Sequence, residues 1–258
     1  MHRIPFYQLD AFTSDLFSGN PAAVCALDAW LPDALLQAIA AENNLSETAF
    51  FVGSGDPYEL RWFTPVTEVD LCGHATLAAA RVIFDRSAPE LTTLSFVTQR
   101  AGMLAVSKQG EGWLELDLPA RPARRCAEPP GLAEALGARA AETFRGSRDL
   151  LAVFNSSDDV RSLRPDFRSL GALDEFCVIA SAPGPSAEVD FVSRCFAPSV
   201  GVNEDPVTGS AHCTLVPFWS ARLGRRTLRA RQVSARGGDL LCEDRGERVG
   251  VAGRTVLY

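Results

Sequence analysis

The sequence predicts an α/β (α+β) chain of two pseudo-symmetric halves, each a mostly antiparallel or mixed sheet wrapped around one central helix. Three observations carry this. Arg61-Trp62-Phe63-Thr64-Pro65 is followed by Gly73, ten residues after Phe63, and Arg194-Cys195-Phe196-Ala197-Pro198 is followed by Gly209, thirteen after Phe196. Both segments read as strand, loop, glycine, helix, which marks an internal duplication into halves of roughly 120 residues, within the usual domain range. The stretch after each glycine, 75–84 and 210–223, is apolar nearly all round, so each helix must be buried on most sides. Few strand candidates are joined by obligatory crossover helices, which favours antiparallel or mixed pairing.

Within the first half, residues 4–12 read as a strand. Pro32-Asp33 opens a helix with Leu35, Leu36, Ile39 and Ala40 on one face. Residues 47–52 and 58–63 read as strands; in the second, Tyr58, Leu60 and Trp62 face one way and Glu59 and Arg61 the other. Residues 91–99, 103–108 and 113–118 form a meander with glycine-bearing turns. Four prolines between 119 and 130 mark the linker. In the second half, strands are expected at 150–155, 175–180, 189–196, 228–234, 239–243 and 248–251.

The chain has 258 residues, 47% apolar and 22% charged, an ordinary globular balance that excludes disorder over most of its length. No apolar run approaches the ~20 residues of a membrane span. The first ten residues alternate and do not read as a signal peptide, so a cytoplasmic location is expected. The net charge is −7, and no basic cluster carries interleaved aromatics, which argues against nucleic acid as a partner. Seven cysteines are scattered singly, with no CxxC and no zinc-type spacing, and read as free thiols.

Chemistry is expected at the two helix starts. Gly73-His74-Ala75-Thr76 and Thr208-Gly209-Ser210-Ala211 each present unpaired N–H groups and a partial positive charge. Facing each other, two such ends would hold a small carboxylate; the alternative is that both glycines only permit tight turns. His74 at a helix start is expected to stay neutral, as a substrate partner, a cap or a core histidine. Glu47, entering an apolar strand, suits a proton shuttle near neutrality, or is a strand-start charge. Asp205 before the second helix is a cap or a polar clamp. His212 reads as structural, and His2 is terminal and takes no role. No dinucleotide or P-loop motif occurs, and neither does H-E-x-x-H or a compact His/Cys/Asp cluster, so no metal and no cofactor are expected. Cys72 precedes Gly73, but the second loop has no matching cysteine, which weakens a two-thiol racemase.

Taken in order, Asp10-Ala11-Phe12-Thr13, Gly19-Asn20-Pro21-Ala22-Ala23-Val24 and Asn44-Leu45-Ser46-Glu47-Thr48-Ala49-Phe50 resemble the PhzF-like family of phenazine biosynthesis. Arg61–Pro65, Glu68-Val69-Asp70-Leu71-Cys72-Gly73-His74-Ala75-Thr76, Asn203-Glu204-Asp205-Pro206-Val207-Thr208-Gly209-Ser210-Ala211-His212 and Gln232-Val233-Ser234-Ala235-Arg236-Gly237-Gly238 continue the match, from Tyr7 to near the C-terminus. The resemblance implies a diaminopimelate-epimerase-like fold of two barrel-like halves, 1–118 and 119–251, with the active site in the cleft between them. The last strand, about 252–258, is a candidate to complete the first half, although the usual C-terminal tail looks short.

The resemblance also implies a function. The family's namesake isomerises 2,3-dihydro-3-hydroxyanthranilate without metal or organic cofactor. By this likeness Glu47 is the acid/base that moves a proton between carbons, with His74 and Asp205 completing the catalytic set. Gly73, His74, Ala75, Asp205, Gly209 and Ser210 would bind a small carboxylate substrate, in a homodimer. The alternatives are an amino-acid or hydroxy-acid epimerase and a non-catalytic member that binds a metabolite or a protein.

Overall fold

The computed structural model describes residues 3–258; His2 lies outside them. Two compact units form, one from the residues up to Asp117 together with Ala252–Tyr258, the other from Leu118–Val251.

The first unit opens with β1 (Phe6–Ala11) and β2 (Asn20–Leu27), paired antiparallel with Leu9 opposite Ala22. Gly19 makes the return at φ +64°, where a Cβ would strike the Ala11 carbonyl. The sequence reading missed β2. Its residues are buried on both faces, so the alternation that reveals a half-buried strand is absent. Then come α1 (Asp33–Asn43), β3 (Glu47–Val52), β4 (Tyr58–Phe63) and β5 (Glu68–Val69). On α1 the buried residues are Leu36 and Ala40; Leu35, expected on the same face, is 45% exposed.

The central helix α2 (Gly73–Arg86) is buried from Gly73 to Phe84 except at Arg81. Its all-apolar surface fits the surroundings, because it lies against β1, β2 and β3 and also β7 (Met103–Lys108). Beside β7 run β6 (Thr93–Thr98) and β8 (Trp113–Pro119), the expected meander.

The second unit repeats the plan. A short strand, β9 (Arg124–Arg125), lies inside the proline-rich linker and pairs with β10 (Glu142–Arg145) beyond the small helix α3 (Leu132–Leu136). β11 (Asp149–Val153) is followed by α4 (Ser157–Ser162) and α5 (Phe167–Gly171), then by β12 (Cys177–Ser186), β13 (Val189–Ala197) and β14 (Val202–Asp205). α4 opens with a capping box between Ser156 and Asp159. One 3₁₀ turn, Gly209–Ala211, leads into α6 (His212–Leu223). Trp219 of α6 stacks on Phe191 at 5.7 Å and donates to Ser181 Oγ at 3.0 Å, so its indole N–H is satisfied in the core. β15 (Thr227–Gln232), β16 (Gly238–Asp244) and β17 (Arg248–Leu257) end the chain.

The pairings show the duplication. β2–β3 and β11–β12 are parallel, β3–β4 and β12–β13 antiparallel, β4–β6 and β13–β15 parallel, and β5 and β14 are short antiparallel partners of β4 and β13. In the first unit the ring of eight strands is closed by β17, which pairs with β8 and with β1, Leu257 opposite Leu9. The last strand is therefore paired on both sides, and the segments expected separately at 248–251 and about 252–258 form one continuous strand of ten residues.

The repeated R-x-F-x-P segment has a physical cause. Arg61 and Arg194 sit inside the sheets, 6% and 9% exposed. Each forms a bidentate fork with a glutamate on the short strand. Arg61 meets Glu68 through Nε and Nη2 at 2.7 and 2.8 Å, and Arg194 meets Glu204 at the same distances. Each guanidinium also stacks over the phenylalanine two residues on, at 5.1 and 5.0 Å. Arg194 further donates to the carbonyls of Val160 and Leu163. Arg194→Ala, which leaves Glu204 unpaired, is expected to lower the unfolding free energy by about 3–5 kcal/mol. Urea titration checks this; a loss under about 1 kcal/mol, the worth of a surface pair, would refute a structural role.

Candidate active site

Glu47 begins β3, three residues after Asn44, the αL residue that ends α1. His74 is the second residue of α2, and Cys72 is its N-cap. The β2–β3 register sets Ala22 opposite Glu47 and brings Asn20, at the start of β2, to the same end of the sheet. The result is a compact group. His74 Nε2 lies 3.1 Å from Glu47 Oε2, with side-chain exposures of 5% and 15%. His74 Nδ1 lies 3.1 Å from Asn20 Nδ2 and 3.5 Å from Cys72 Sγ. Thr76 Oγ1 donates to the Cys72 carbonyl at 2.6 Å and closes the first turn.

These contacts fix the imidazole's options. With the Asn20 amide nitrogen facing it, Nδ1 accepts and Nε2 carries the proton toward Glu47. A doubly protonated ring requires Asn20 to turn its carbonyl to Nδ1 instead. Burial works against the charged ring, but Cys72 and Glu47 outweigh it and raise the His74 pKa well above 6.5. The upward shift runs against the neutral His74 expected from the helix start: Cys72 and the Glu47 carboxylate at 3.1 Å both act against the partial charge of the helix end. Glu47 Oε2 is itself buried and takes no aligned hydrogen bond, so its contact with Nε2 is an ion-pair approach.

The group also corrects the expectation that no compact cluster of metal-ligating types exists. One ligand atom each from Glu47, Cys72 and His74 falls within 4.8 Å of the others. The spacing rule missed it because β3 supplies the carboxylate from a distant part of the chain. Burial pushes the Cys72 thiol up to about 11, so it is not a ready thiolate ligand.

In the second unit, Asp205 ends β14 and its Oδ2 accepts from Thr208 Oγ1 at 2.6 Å. It does not cap α6; it holds the turn that precedes it. Gln232, fully buried on β15, stitches that turn. Its Oε1 accepts from Thr208 N at 2.9 Å, and its Nε2 donates to the Asp205 carbonyl at 2.7 Å. Gly209 is buried and Ser210 half-buried in the 3₁₀ turn, and Ser210 Oγ accepts from Arg148 Nη2 at 3.0 Å. His212 is fully buried and donates Nδ1–H to the Thr208 carbonyl, while burial lowers its pKa to about 4. It is a neutral structural histidine.

Glu47, Gly73, His74 and Ala75 thus share one end of the first unit, and Asp205, Gly209 and Ser210 share one turn of the second. Sequence reasoning gave no role to Asn20, Gln232 or Arg148. Asn20 and Gln232 lie inside segments that carry the resemblance; Arg148 lies in an ordinary Gly146-Ser147 turn with no motif to flag it.

A closed mixed barrel of eight strands around a buried helix, with an imidazole at the helix start and a carboxylate beside it, fits the class of isomerase folds. Within that class the chain belongs to the PhzF-like family, because the model of the phenazine biosynthesis-like proteins (PhzC-PhzF) matches residues 9–258. A Pseudomonas aeruginosa protein named as an uncharacterized isomerase is 51% identical over 99% of this chain and 96% of its own. The crystal structure of a PhzF-family phenazine biosynthesis protein from Enterococcus faecalis is similar at TM-score 0.94 and 49% identity, covering 99% of this chain and 96% of that one. A hydroxyproline epimerase from Agrobacterium vitis, at 11% identity and TM-score 0.58 over 98% and 91% of the two chains, shares the fold alone.

His74 gives the site a measurable signature. Its imidazolium–Glu47 pair stabilises the folded chain fully below pH 6.5, and that contribution is lost as pH rises through the elevated folded value. Heteronuclear NMR is expected to find the His74 ring protonated at pH 7. In Glu47→Gln, which removes one of the two groups that raise it, the ring is expected to lose its proton at a lower pH than in the wild type. An unchanged titration in that variant rules out Glu47 as a cause.

Proposed function

We propose that the protein is a cofactor-independent isomerase that moves a proton between carbons of a small carboxylate-bearing substrate, with Glu47 as general acid and base. The observation that carries this reading is the buried Glu47 Oε2, 3.1 Å from His74 Nε2 and without an aligned hydrogen bond. A carboxylate oxygen held in this way keeps a lone pair available for a C–H proton.

The step balances without redox change. Glu47 takes a proton from a carbon next to an unsaturated, carboxylated system, and the electron pair delocalises into that system. The protonated Glu47 then returns the proton to another carbon. His74 steadies the carboxylate while it is charged. Asp205, Gly209 and Ser210, with Gly73 and Ala75, are assigned to holding the substrate, Asp205 also completing the catalytic set. The resemblance to dihydro-hydroxyanthranilate isomerisation supports this assignment, and the homodimer and cytoplasmic location belong to the same proposal.

Deuterium uptake from D₂O into 2,3-dihydro-3-hydroxyanthranilate tests the reading. The wild type is expected to incorporate deuterium, and Glu47→Gln to lose about 10²–10⁴-fold in rate while still binding. Full rate in Glu47→Gln removes Glu47 from the chemistry.

A second reading, epimerisation of an amino or hydroxy acid, draws on Cys72, whose thiol touches His74. Against it, burial holds the thiols of Cys72 and of the second helix's Cys213 each near 11. Iodoacetamide at pH 7 is expected to leave turnover intact; rapid inactivation with alkylation mapped to Cys72 would favour the epimerase.

A further inference from the structure

Arg148 is built into the second unit more firmly than a turn residue needs. Its Nε donates to Asp149 Oδ1 at 2.8 Å, and the Asp149 side chain is wholly buried. Its guanidinium lies 4.5 Å from the ring centroid of Phe176, and its Nη2 reaches Ser210 Oγ at 3.0 Å. Ion pair and aromatic face together hold the group in one orientation.

A guanidinium has donors only, so Ser210 Oγ must be the acceptor of this bond. The hydroxyl hydrogen of Ser210 then has to be given to something else. Among the described residues the Ser210 hydroxyl makes no other hydrogen bond, and Ser210 is only half-buried. The arrangement is that of a polarised O–H held ready for an oxygen that arrives from outside.

The duplication supplies an independent argument. Glu68 and Glu204 each precede a helix-start glycine by five residues, which aligns Gly73 with Gly209 and His74 with Ser210. Topologically β2 matches β11, since each is the parallel neighbour of the strand that leads to the fork. Asn20, at the start of β2, contacts His74; Arg148, immediately before β11, contacts Ser210. In both units a polar side chain at the head of that strand orients the residue after the glycine.

We propose that Arg148 is a positioning residue: it fixes Ser210 Oγ as an acceptor and directs its hydroxyl hydrogen to a carboxylate oxygen of the substrate. This rests on the reading above, in which Ser210 binds the substrate. It adds a specificity, because a polarised hydroxyl donor favours an anionic oxygen over a neutral amide.

The test measures calorimetric affinity for 2,3-dihydro-3-hydroxyanthranilate and for its carboxamide, in a Glu47→Gln parent that does not turn the ligand over. Arg148→Met and Ser210→Ala are each expected to weaken carboxylate binding about tenfold or more, the scale of a lost charge-assisted hydrogen bond. Combining the two should add nothing, and the carboxamide should bind all of these proteins alike. Because Arg148→Met strands the buried Asp149, Arg148→Met/Asp149→Asn is run beside it as a variant without the uncompensated charge. Unchanged affinity, equal losses for acid and amide, additive losses, or no binding by the parent each overturn the proposal. Failure of the isomerase reading shows separately, as no deuterium uptake by the wild type.

Discussion

A guanidinium inside a sheet has to be given a carboxylate, and this chain meets that demand twice. An unpaired Arg61 or Arg194 at such depth would cost several kcal/mol. The glutamate that answers each sits on a strand too short to persist alone, two residues in β5 and four in β14. The fork therefore works in both directions. It makes the arginine tolerable in the sheet, and it fastens the short strand to its neighbour. The helix-start glycine follows at the same five-residue interval in each unit, so the place where each central helix begins is set by where its fork closes.

On this shared frame the two helix starts have diverged chemically. Where the first unit has Cys72 and His74, the second has Thr208 and Ser210. The first set titrates: an imidazole raised by its neighbours beside a buried carboxylate. The second set is held by hydrogen bonds: the Asp205–Thr208–Gln232 network holds the turn, and Ser210 Oγ accepts from Arg148. Duplication followed by such a split gives one protein a titrating helix start and a hydrogen-bonded one, the two ends to which the proposed reading assigns proton transfer and substrate holding.

Much of the fold was legible because its signals are local. The fork arginines recur with their phenylalanine and proline, the central helices are apolar all round, and the strands at 47–52, 58–63 and 103–108 appear with the expected bounds. What escaped notice lacked such a signal. β2 is buried on both faces, β9 is two residues long, and α3 to α5 are each one or two turns. At the site, Glu47, His74, Asp205 and Ser210 could be named from short motifs. Their partners could not, because register and fold, not spacing, bring Asn20 to His74 and Arg148 to Ser210. The direction of the His74 shift was missed in part for the same reason, since Glu47, one of the two neighbours that raise it, belongs to another strand.

The strand that ends the chain has a consequence for the nascent protein. Ring closure in the first unit needs residues 252–257 between β1 and β8. Those residues leave the ribosome only after the whole second unit has been translated, which at about 5–20 residues per second takes on the order of ten seconds. Throughout that interval β1 and β8 are open edges with unsatisfied backbone groups beside a strongly apolar helix. The N-terminal half of this protein is thus made first and finished last.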